Sequence, residues 1–339
     1  MKMRVLSRAD VERALTLPRV MDTVEQVYRL KAEDKTVVWP TVFHDFKTGE
    51  QDMDIKSGYL RGMEAHGLKV INWTAANDER GLPALIGLIM VFDTETGVPL
   101  GVLDGSYITG VRTGCAGAIG AKHLARKDSR SLFVLGTGGQ AFFQTAAFLQ
   151  AFPQLARVYV ANPRHAEKAE AFVSTIRERL QTSFGIDASG VEFAAVAPEA
   201  MGEAVSSSDM IVTTTPSRAP IIQAEWVKSG THLSCIGADM SGKQEIESAI
   251  FRNAVVVCDD RAHCMEVGEM EVPLHEGVIQ APDIRCEIGE LILGRANGCE
   301  NENQITIYDA CGMALLDIAC AKAALELAEQ NNIGQIVEI

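Results

Sequence analysis

The segment Gly136-Thr137-Gly138-Gly139-Gln140-Ala141 fits the pattern G-x-G-x-x-A, between the apolar run SLFVL and a helical stretch. In such a turn the first glycine allows tight bending and the second lets backbone amides approach a pyrophosphate. The small third residue lets helix and strand pack closely. The helix N-terminus adds partial positive charge for the phosphates. The segment predicts a dinucleotide-binding turn, and the alternative is a glycine-rich turn that binds no cofactor.

The ends of the following strands bear on the choice of dinucleotide. The strand RVYVA ends at Asn162-Pro163-Arg164, without the carboxylate that holds a free ribose 2′-hydroxyl. Arg164 suits a 2′-phosphate, which favours NADP over NAD, although Asn162 can hydrogen-bond a ribose and Arg164 can be a solvated helix residue. Thr213, Thr214 and Thr215 close the strand DMIV at the carboxyl edge of the sheet. They are expected to line the cofactor cleft unless they serve only as a turn.

Three ionisable residues lie in apolar or strand-end surroundings. Lys69 is in HGLKVIN, inside a predicted strand, and Arg112 is among small residues in ITGVRTGCAGA. A lysine there must reach solvent or find an anion, and an arginine usually has a carboxylate partner. Asp239 follows the strand THLSCIG at the carboxyl edge of the sheet. Two interpretations stay open for each residue. The first is contact with a ligand. The second is a structural role, which is an internal ion pair for the two cations and a turn or helix cap for the aspartate.

The elements that would position these residues change in character along the chain. Residues 8–33 have helical periodicity, and 36–110 contain short apolar runs with a hairpin turn at 95–99, which predicts a largely antiparallel sheet. Residues 106–126 are typical of a small-residue helix. From residue 130 strands and helices alternate, which predicts βαβ units and a parallel sheet, followed by a helix over 309–331. The predicted fold class is therefore α/β, with an N-terminal α+β part.

Composition limits the classes of partner. The 339 residues are enough for two domains, and the formal net charge of -14 disfavours nucleic acid as a partner. The sequence has no signal peptide and no membrane span, so we expect a cytoplasmic protein. The eight cysteines have no C-x-x-C spacing and are expected to be reduced core residues. The surroundings of His263 and Cys264 match no closed zinc pattern, so no metal is expected.

Several motifs, in chain order, are similar to those of the ornithine cyclodeaminase/μ-crystallin family. They are Gly67-Leu68-Lys69-Val70, Asn77 with Gly81-Leu82-Pro83, Thr109 to Gly114, the glycine loop, and the strand ending at Asp239. The resemblance covers nearly the whole chain. It implies a Rossmann domain (127–310) inserted in a substrate-binding and dimerisation domain (1–126 and 311–339). It also implies a homodimer whose N-terminal sheets pair across the interface.

The same resemblance implies roles for the three ionisable residues. Lys69 matches a lysine that contacts the substrate carboxylate and imine region, Arg112 a carboxylate-binding arginine, and Asp239 an acid/base carboxylate beside the reacting nitrogen. These roles fit hydride transfer at the substrate Cα, with proton exchange between the nitrogen and Asp239. The expectation is an NAD(P)-dependent oxidoreductase acting on the Cα–N bond of a small amino or imino acid.

The chain departs from the family pattern on two neighbouring strands. Trp39-Pro40-Thr41-Val42 lacks the cation that often follows this proline, and Lys56-Ser57-Gly58 stands where Met-Pro-Ala is common. We hypothesise that Lys56 replaces the missing cation or binds a second substrate anion. The alternative is an exposed lysine on an edge strand.

Three outcomes stay open for the function. The cation missing after Pro40 and the additional Lys56 favour an imino acid reductase or an amino acid dehydrogenase of the alanine dehydrogenase type. The first alternative is ornithine cyclodeaminase chemistry, which releases ammonia, forms proline and recycles NAD. The second is a non-catalytic, μ-crystallin-like protein that binds NADP or a small ligand.

Overall fold

The computed structural model describes residues 1–339 apart from the side chain of Asp78. Unit 1 of the chain comprises Met1–Arg112 with Met313–Ile339, and unit 2 comprises Thr113–Gly312. The first boundary falls inside one continuous helix, whereas the sequence placed it after that helix, at residue 126. Glycines and other small residues are spread along this helix, so no local signal marks residue 112. The domain limits inferred from the sequence stay a prediction.

The secondary structure contains eighteen strands and ten α-helices. The strands are β1 (Lys2–Leu6), β2 (Thr36–Val38), β3 (Val42–Lys47), β4 (Gln51–Leu60), β5 (Ala65–Thr74), β6 (Leu85–Asp93), β7 (Pro99–Asp104), β8 (Ser131–Leu135), β9 (Arg157–Ala161), β10 (Glu192–Val196), β11 (Met210–Thr213), β12 (Arg218–Ile222), β13 (His232–Cys235), β14 (Gln244–Ile246), β15 (Val255–Cys258), β16 (Ile284–Glu287), β17 (Thr306–Asp309) and β18 (Gln335–Glu338). The helices are α1 (Arg8–Ala14), α2 (Leu17–Ala32), α3 (Gly105–Leu124), α4 (Gly139–Ala151), α5 (Ala166–Phe184), α6 (Met201–Ser207), α7 (Arg261–Val267), α8 (Glu271–His275), α9 (Ile288–Ile292) and α10 (Ala314–Gln330).

Unit 1 is built on one sheet in the order β18-β1-β7-β6-β5-β4-β2, with β3 paired to β4. All its pairs are antiparallel except β1 with β7. This confirms the largely antiparallel sheet expected over 36–110. The expected hairpin turn at 95–99 joins β6 to β7, and Gly97 there has a φ of 70°. The sequence did not reveal β1 and β18, because such short strands carry little periodicity.

Two predicted helices differ from the observed ones, the first by an interruption and the second at its start. The helix expected over 8–33 is two helices, because Thr16 caps α2 by accepting from the Arg19 N–H and Pro18 lies in its first turn. Proline has no N–H with which to continue the preceding helix. The helix expected over 309–331 begins at Ala314, since Thr306–Asp309 forms β17.

Helix α10 packs closely on the sheet of unit 1, against β4, β5 and β6. Glycines make room for it. A Cβ at Gly58 would lie 2.8 Å from Leu315 Cδ2, and one at Gly67 would lie 3.4 Å from Ile318 Cγ1. Because side chains alternate between the two faces of a strand, Lys56 and Lys69 share the face of these glycines. The helix therefore covers the face that carries both lysines.

Unit 2 contains a parallel sheet in the order β10-β9-β8-β11-β13-β17-β15-β16. The chain winds from β8 outward to β10 and then returns to the other side through β11. This reversal is the doubly wound arrangement of Rossmann folds. The predicted α/β fold class is confirmed. The late strand β17 lies between β13 and β15, a position that the sequence did not reveal.

All eight cysteines are free thiols, and seven of them are buried. Among the described residues, no helix combines the length and the apolarity that a membrane crossing requires.

Candidate active site

A buried carboxylate joins the two cations that the sequence singled out. Asp317 on α10 lies 3.0 Å from Lys69 Nζ through Oδ2, and its Oδ1 accepts a hydrogen bond of 2.9 Å from Arg112 Nε. The three side chains come from β5, α3 and α10, and none is more than 6% exposed. The ion-pair alternative weighed for Lys69 and Arg112 is therefore realised through a partner that the sequence analysis did not identify.

Burial and the neighbouring charges shift the pKa values of Lys69 and Asp317. Burial lowers the pKa of Lys69 to about 8, although Asp317 opposes the shift. Burial by itself would raise the pKa of Asp317, but the charges of Arg112 and Lys69 hold it below its usual value. At neutral pH the cluster thus contains two cations and one anion. Its surplus positive charge suits a carboxylate ligand.

Both cations keep donors after binding Asp317. An ammonium has three N–H groups and a guanidinium five. Lys69 Nζ also donates to Thr109 Oγ1 at 3.4 Å. Within the described part of the chain, the hydrogen bond of Arg112 uses Nε, which leaves both terminal nitrogens for a further anion. Asp317 can therefore orient the cations without consuming their capacity to bind a substrate carboxylate.

Asp317 is the functional candidate that sequence reasoning missed. It is the second acidic position of the segment DACGMALLDIACAKAALELAEQ, and its neighbours on α10 are alanines, leucines and isoleucine. One fully buried carboxylate on an otherwise apolar helix surface requires a cation. That isolated charge was the available signal.

Lys56 lies on β4 directly across from Lys69 on β5. It is half-buried, so the alternative of an exposed lysine does not describe its position. Asp54, two residues earlier on the same face, has a buried Oδ1 without a hydrogen-bond partner among the described residues. The structure thus adds a third cation and a second carboxylate to the face that carries Lys69.

The glycine loop adopts the geometry expected of a dinucleotide turn. Gly136 has a φ of 107°, and a Cβ there would lie 2.6 Å from Thr214 Oγ1. At Gly138 and Gly139 a Cβ would meet no protein atom within 4 Å, so the backbone at the start of α4 faces open space. Gln140 has a buried side-chain oxygen without a partner among the described residues. This local geometry leaves room for a pyrophosphate at the helix N-terminus.

Asn162 braces this loop instead of pointing away from it. Its Nδ2 donates to Thr137 Oγ1 at 2.8 Å, and its Oδ1 accepts from the backbone N–H groups of Arg164 and His165. The side chain of Arg164 is exposed. The end of β9 therefore offers a cation and no carboxylate next to the loop, as expected from the sequence.

A second buried carboxylate fastens the loops after β11 and β13. Glu245 accepts from the N–H of Thr215 at 2.6 Å and of Gly237 at 3.0 Å, and burial raises its pKa to about 7. The Thr214 hydroxyl donates to the Leu135 carbonyl, and Thr213 is fully buried. Thr214 and Thr215 thus connect the strand ends, and the contact of the three threonines with a cofactor stays a prediction. Sequence reasoning did not identify Glu245.

Asp239 follows β13 in an accessible position. Its carboxylate is 50% exposed and pairs with Lys243, four residues later in the chain. The pair lies at the carboxyl edge of the parallel sheet, where the sequence placed Asp239. A half-exposed carboxylate is accessible to a ligand, and the acid/base role of Asp239 stays a prediction.

Three buried side chains of unit 2 that could ligate a metal ion form a group that the sequence did not reveal. Atoms of Cys264, Asp309 and Cys311 lie within 4.8 Å of one another. The Cys264 thiol donates to Asp259 Oδ1 at 3.2 Å. Closed zinc sites take four ligands, so the three donors alone do not complete one.

Comparison with known proteins identifies relatives along the whole chain. A model of the ornithine cyclodeaminase/mu-crystallin family matches residues 1–332. An alanine dehydrogenase from Archaeoglobus fulgidus is 38% identical over 343 residues, covering 100% of this chain and 99% of the relative.

Solved structures share the entire fold. An archaeal alanine dehydrogenase, a dimer with bound NAD, has a TM-score of 0.89 at 36% identity and 100% coverage of both chains. The Δ1-pyrroline-2-carboxylate reductase of Thermococcus litoralis, with NADH and L-proline, has a TM-score of 0.90 at 28% identity, covering 98% of this chain and 99% of that one. The iminosuccinate reductase of Paracoccus denitrificans, with NAD+, has a TM-score of 0.89 at 27% identity and covers 100% of both.

Removing the shared carboxylate should destabilise the protein strongly. Asp317→Asn leaves two buried cations without an anion, and breaking a buried ion pair in this way costs about 3–5 kcal/mol. The measurement is the free energy of unfolding in denaturant. Glu326→Gln on the same helix is the control, because Glu326 pairs with Lys322 at the surface and should contribute about 0–1 kcal/mol. Equal losses for the two variants would contradict the importance of the buried cluster.

A side chain at Gly138 should block the dinucleotide selectively. Gly138→Val fills the open space at the start of α4, so we expect the KM for the dinucleotide to rise about tenfold or more. Because no protein atom lies within 4 Å of the new Cβ, stability should change by only about 1 kcal/mol, the cost of a poorer helix cap. Gly190→Val, also without neighbours within 4 Å, is the matched control in unit 2. An unchanged KM in Gly138→Val would exclude cofactor binding at this loop.

Proposed function

The chain belongs to the ornithine cyclodeaminase/mu-crystallin family, and we propose that it reduces a small 2-imino acid to an amino acid with a nicotinamide dinucleotide. The family predicted from the sequence motifs is confirmed. The enzyme class is that of NAD-dependent oxidoreductases of amino and imino acids, to which the alanine dehydrogenase and the two reductases belong. The buried cation pair on Asp317, in a chain that also carries the glycine loop, supports this proposal most directly.

The proposed reaction balances as follows. A 2-oxo acid condenses with ammonia to the imine and loses water. A hydride from NAD(P)H then reaches Cα, and a proton is added at the nitrogen, which yields the amino acid and NAD(P)+. The dinucleotide supplies the hydride when it is bound. Lys69 and Arg112 would hold the substrate carboxylate, and Asp239 would exchange the proton with the nitrogen.

The choice of dinucleotide is part of the proposal. The solved relatives contain NAD, NADH or NAD+. In this chain, the exposed Arg164 beside the glycine loop and the absence of a carboxylate at the end of β9 support use of NADP as well. NADH and NADPH are therefore compared in the assay below. The cytoplasmic location expected from the sequence stays a prediction.

Hydride transfer and the role of Asp239 are tested together by absorbance at 340 nm. With a panel of 2-oxo acids plus ammonia, we expect stoichiometric oxidation of NADH or NADPH. Asp239→Asn should lower kcat about 100-fold or more, because the variant cannot exchange the proton. Glu247→Gln, at another carboxylate of unit 2, should stay close to the unchanged protein.

Other results of this assay would point to other reactions. Ammonia release from ornithine without net change at 340 nm would indicate the cyclodeaminase reaction. Cofactor binding without any turnover would indicate a binding protein. Full activity of Asp239→Asn would exclude the proposed acid/base role.

We also propose a homodimer formed through the sheet of unit 1. Val42, Ile55, Val70 and Leu88 form one row across four strands, on the face opposite Lys69. Val42 and Leu88 are each 55% exposed. An exposed apolar face of this kind marks an interaction surface, and the archaeal alanine dehydrogenase is a dimer.

A charge in this apolar row should dissociate the dimer. Leu88→Glu buries a carboxylate in the proposed interface, so light scattering coupled to size exclusion should give the mass of one chain, against two for the unchanged protein. Ile336→Glu, at another exposed apolar residue of unit 1, should remain dimeric. A monomeric unchanged protein would contradict the proposal.

A further inference from the structure

Two lysines face each other across one strand pair of unit 1. Lys56 and Lys69 are directly opposed on the antiparallel strands β4 and β5. Directly opposed side chains lie on the same face, with Cβ atoms about 4.5–5.5 Å apart, and like charges in this arrangement are destabilising. The fold therefore carries an electrostatic cost at this position unless an anion binds there.

Asp317 does not relieve this repulsion at Lys56. Its two oxygens are taken by Lys69 and Arg112. Among the described residues, Lys56 forms no ion pair, although it is half-buried. A partly desolvated ammonium without an ion-pair partner is a binding group for a ligand anion.

Charge counting distinguishes two classes of substrate. Three cations, Lys56, Lys69 and Arg112, face two carboxylates, Asp54 and Asp317, whose charges also act on Lys69. Unit 1 therefore contributes one net positive charge to this cluster. An amino acid with an uncharged side chain is a neutral zwitterion, whereas a dicarboxylic amino acid carries one net negative charge. The second class complements the cluster.

We propose that the substrate is a four-carbon dicarboxylic 2-imino acid whose second carboxylate binds Lys56. The proposal rests on the proposed function, with Lys69 and Arg112 holding the first carboxylate. Because Lys56 lies directly across from Lys69, a ligand whose first carboxylate binds at Lys69 needs only a short chain to bring its second carboxylate to Lys56, and we assign two intervening carbons to that chain. Oxaloacetate and ammonia would lose water to form the imine. Hydride from NAD(P)H would then reach C2 and a proton the nitrogen, giving aspartate and NAD(P)+.

Substrate preference tests this inference. With ammonia and either reduced dinucleotide, kcat/KM for oxaloacetate should exceed that for pyruvate about 10- to 100-fold, as expected for one charge-assisted contact. Lys56→Met should remove this preference by lowering kcat/KM for oxaloacetate and leaving that for pyruvate within about threefold. Lys56→Arg should restore part of it. Lys47→Met, at an exposed lysine of β3, is the control and should alter neither value.

The pH profile gives a second readout, which reports the charge coupling between Lys56 and Lys69. Burial lowers the pKa of Lys69 to about 8, and the charges of Arg112 and Lys56 lower it as well, while Asp317 and Asp54 raise it. The ammonium form, which binds the carboxylate, is lost as the pH rises through this value. Removing the charge at Lys56 raises the pKa of Lys69. In Lys56→Met the alkaline limb of kcat/KM for pyruvate should therefore shift to higher pH, with ammonia speciation common to both proteins.

The outcomes separate this inference from the proposed function. Preference for pyruvate or a cyclic imine in the unchanged protein would overturn the dicarboxylate assignment and leave the reductase intact. An equal loss for all substrates in Lys56→Met, with an unmoved alkaline limb, would also overturn it. Absence of turnover with every 2-oxo acid and cyclic imine would overturn both.

Discussion

Unit 1 depends on one buried carboxylate that two cations share. Asp317 is completely buried, and it forms ion pairs with both Lys69 and Arg112. Each of the three charges would be expensive to bury alone, and together they neutralise one another only in part. Because they come from β5, α3 and α10, the cluster forms only when the end of the chain returns to its beginning. Burial of these charges therefore requires the chain topology that brings the three elements together.

Close backbone approach makes this cluster possible. Gly58 and Gly67 allow α10 to rest on the sheet, where larger residues would collide with Leu315, Ile318 or strand carbonyls. In unit 2, Glu245 has a comparable role, because it accepts hydrogen bonds from two loops at the carboxyl edge of the sheet. In both units, buried carboxylates fix segments that side-chain packing alone would leave free to shift. Candidate functional residues then sit on the fixed segments.

Local signals in the sequence predicted much of this arrangement, and long-range pairings were missed. The glycine loop, the small-residue helix and the hairpin at 95–99 are specified by neighbouring residues, so they could be located without the fold. Strand β17 lies between β13 and β15 only because distant segments meet there. Asp317 likewise has an evident role only when Lys69 and Arg112 are beside it. The helix break before α2 was in principle readable from Thr16 and Pro18.

The overall acidity of the chain does not weaken its local positive site. The net charge is -14, yet charges farther away than about 8 Å are screened by salt, whereas buried groups are screened much less. Lys69 therefore experiences Asp317 and Lys56 more strongly than the acidic surface, and Arg112 experiences Asp317 in the same way. Since Asp317 and Asp54 offset two of the three cations Lys56, Lys69 and Arg112, one net positive charge remains, and the cluster favours an anion although the net charge of the molecule is negative. The few buried charges at the cluster therefore determine which ligand charge is favoured there, and the net charge of the protein has less influence.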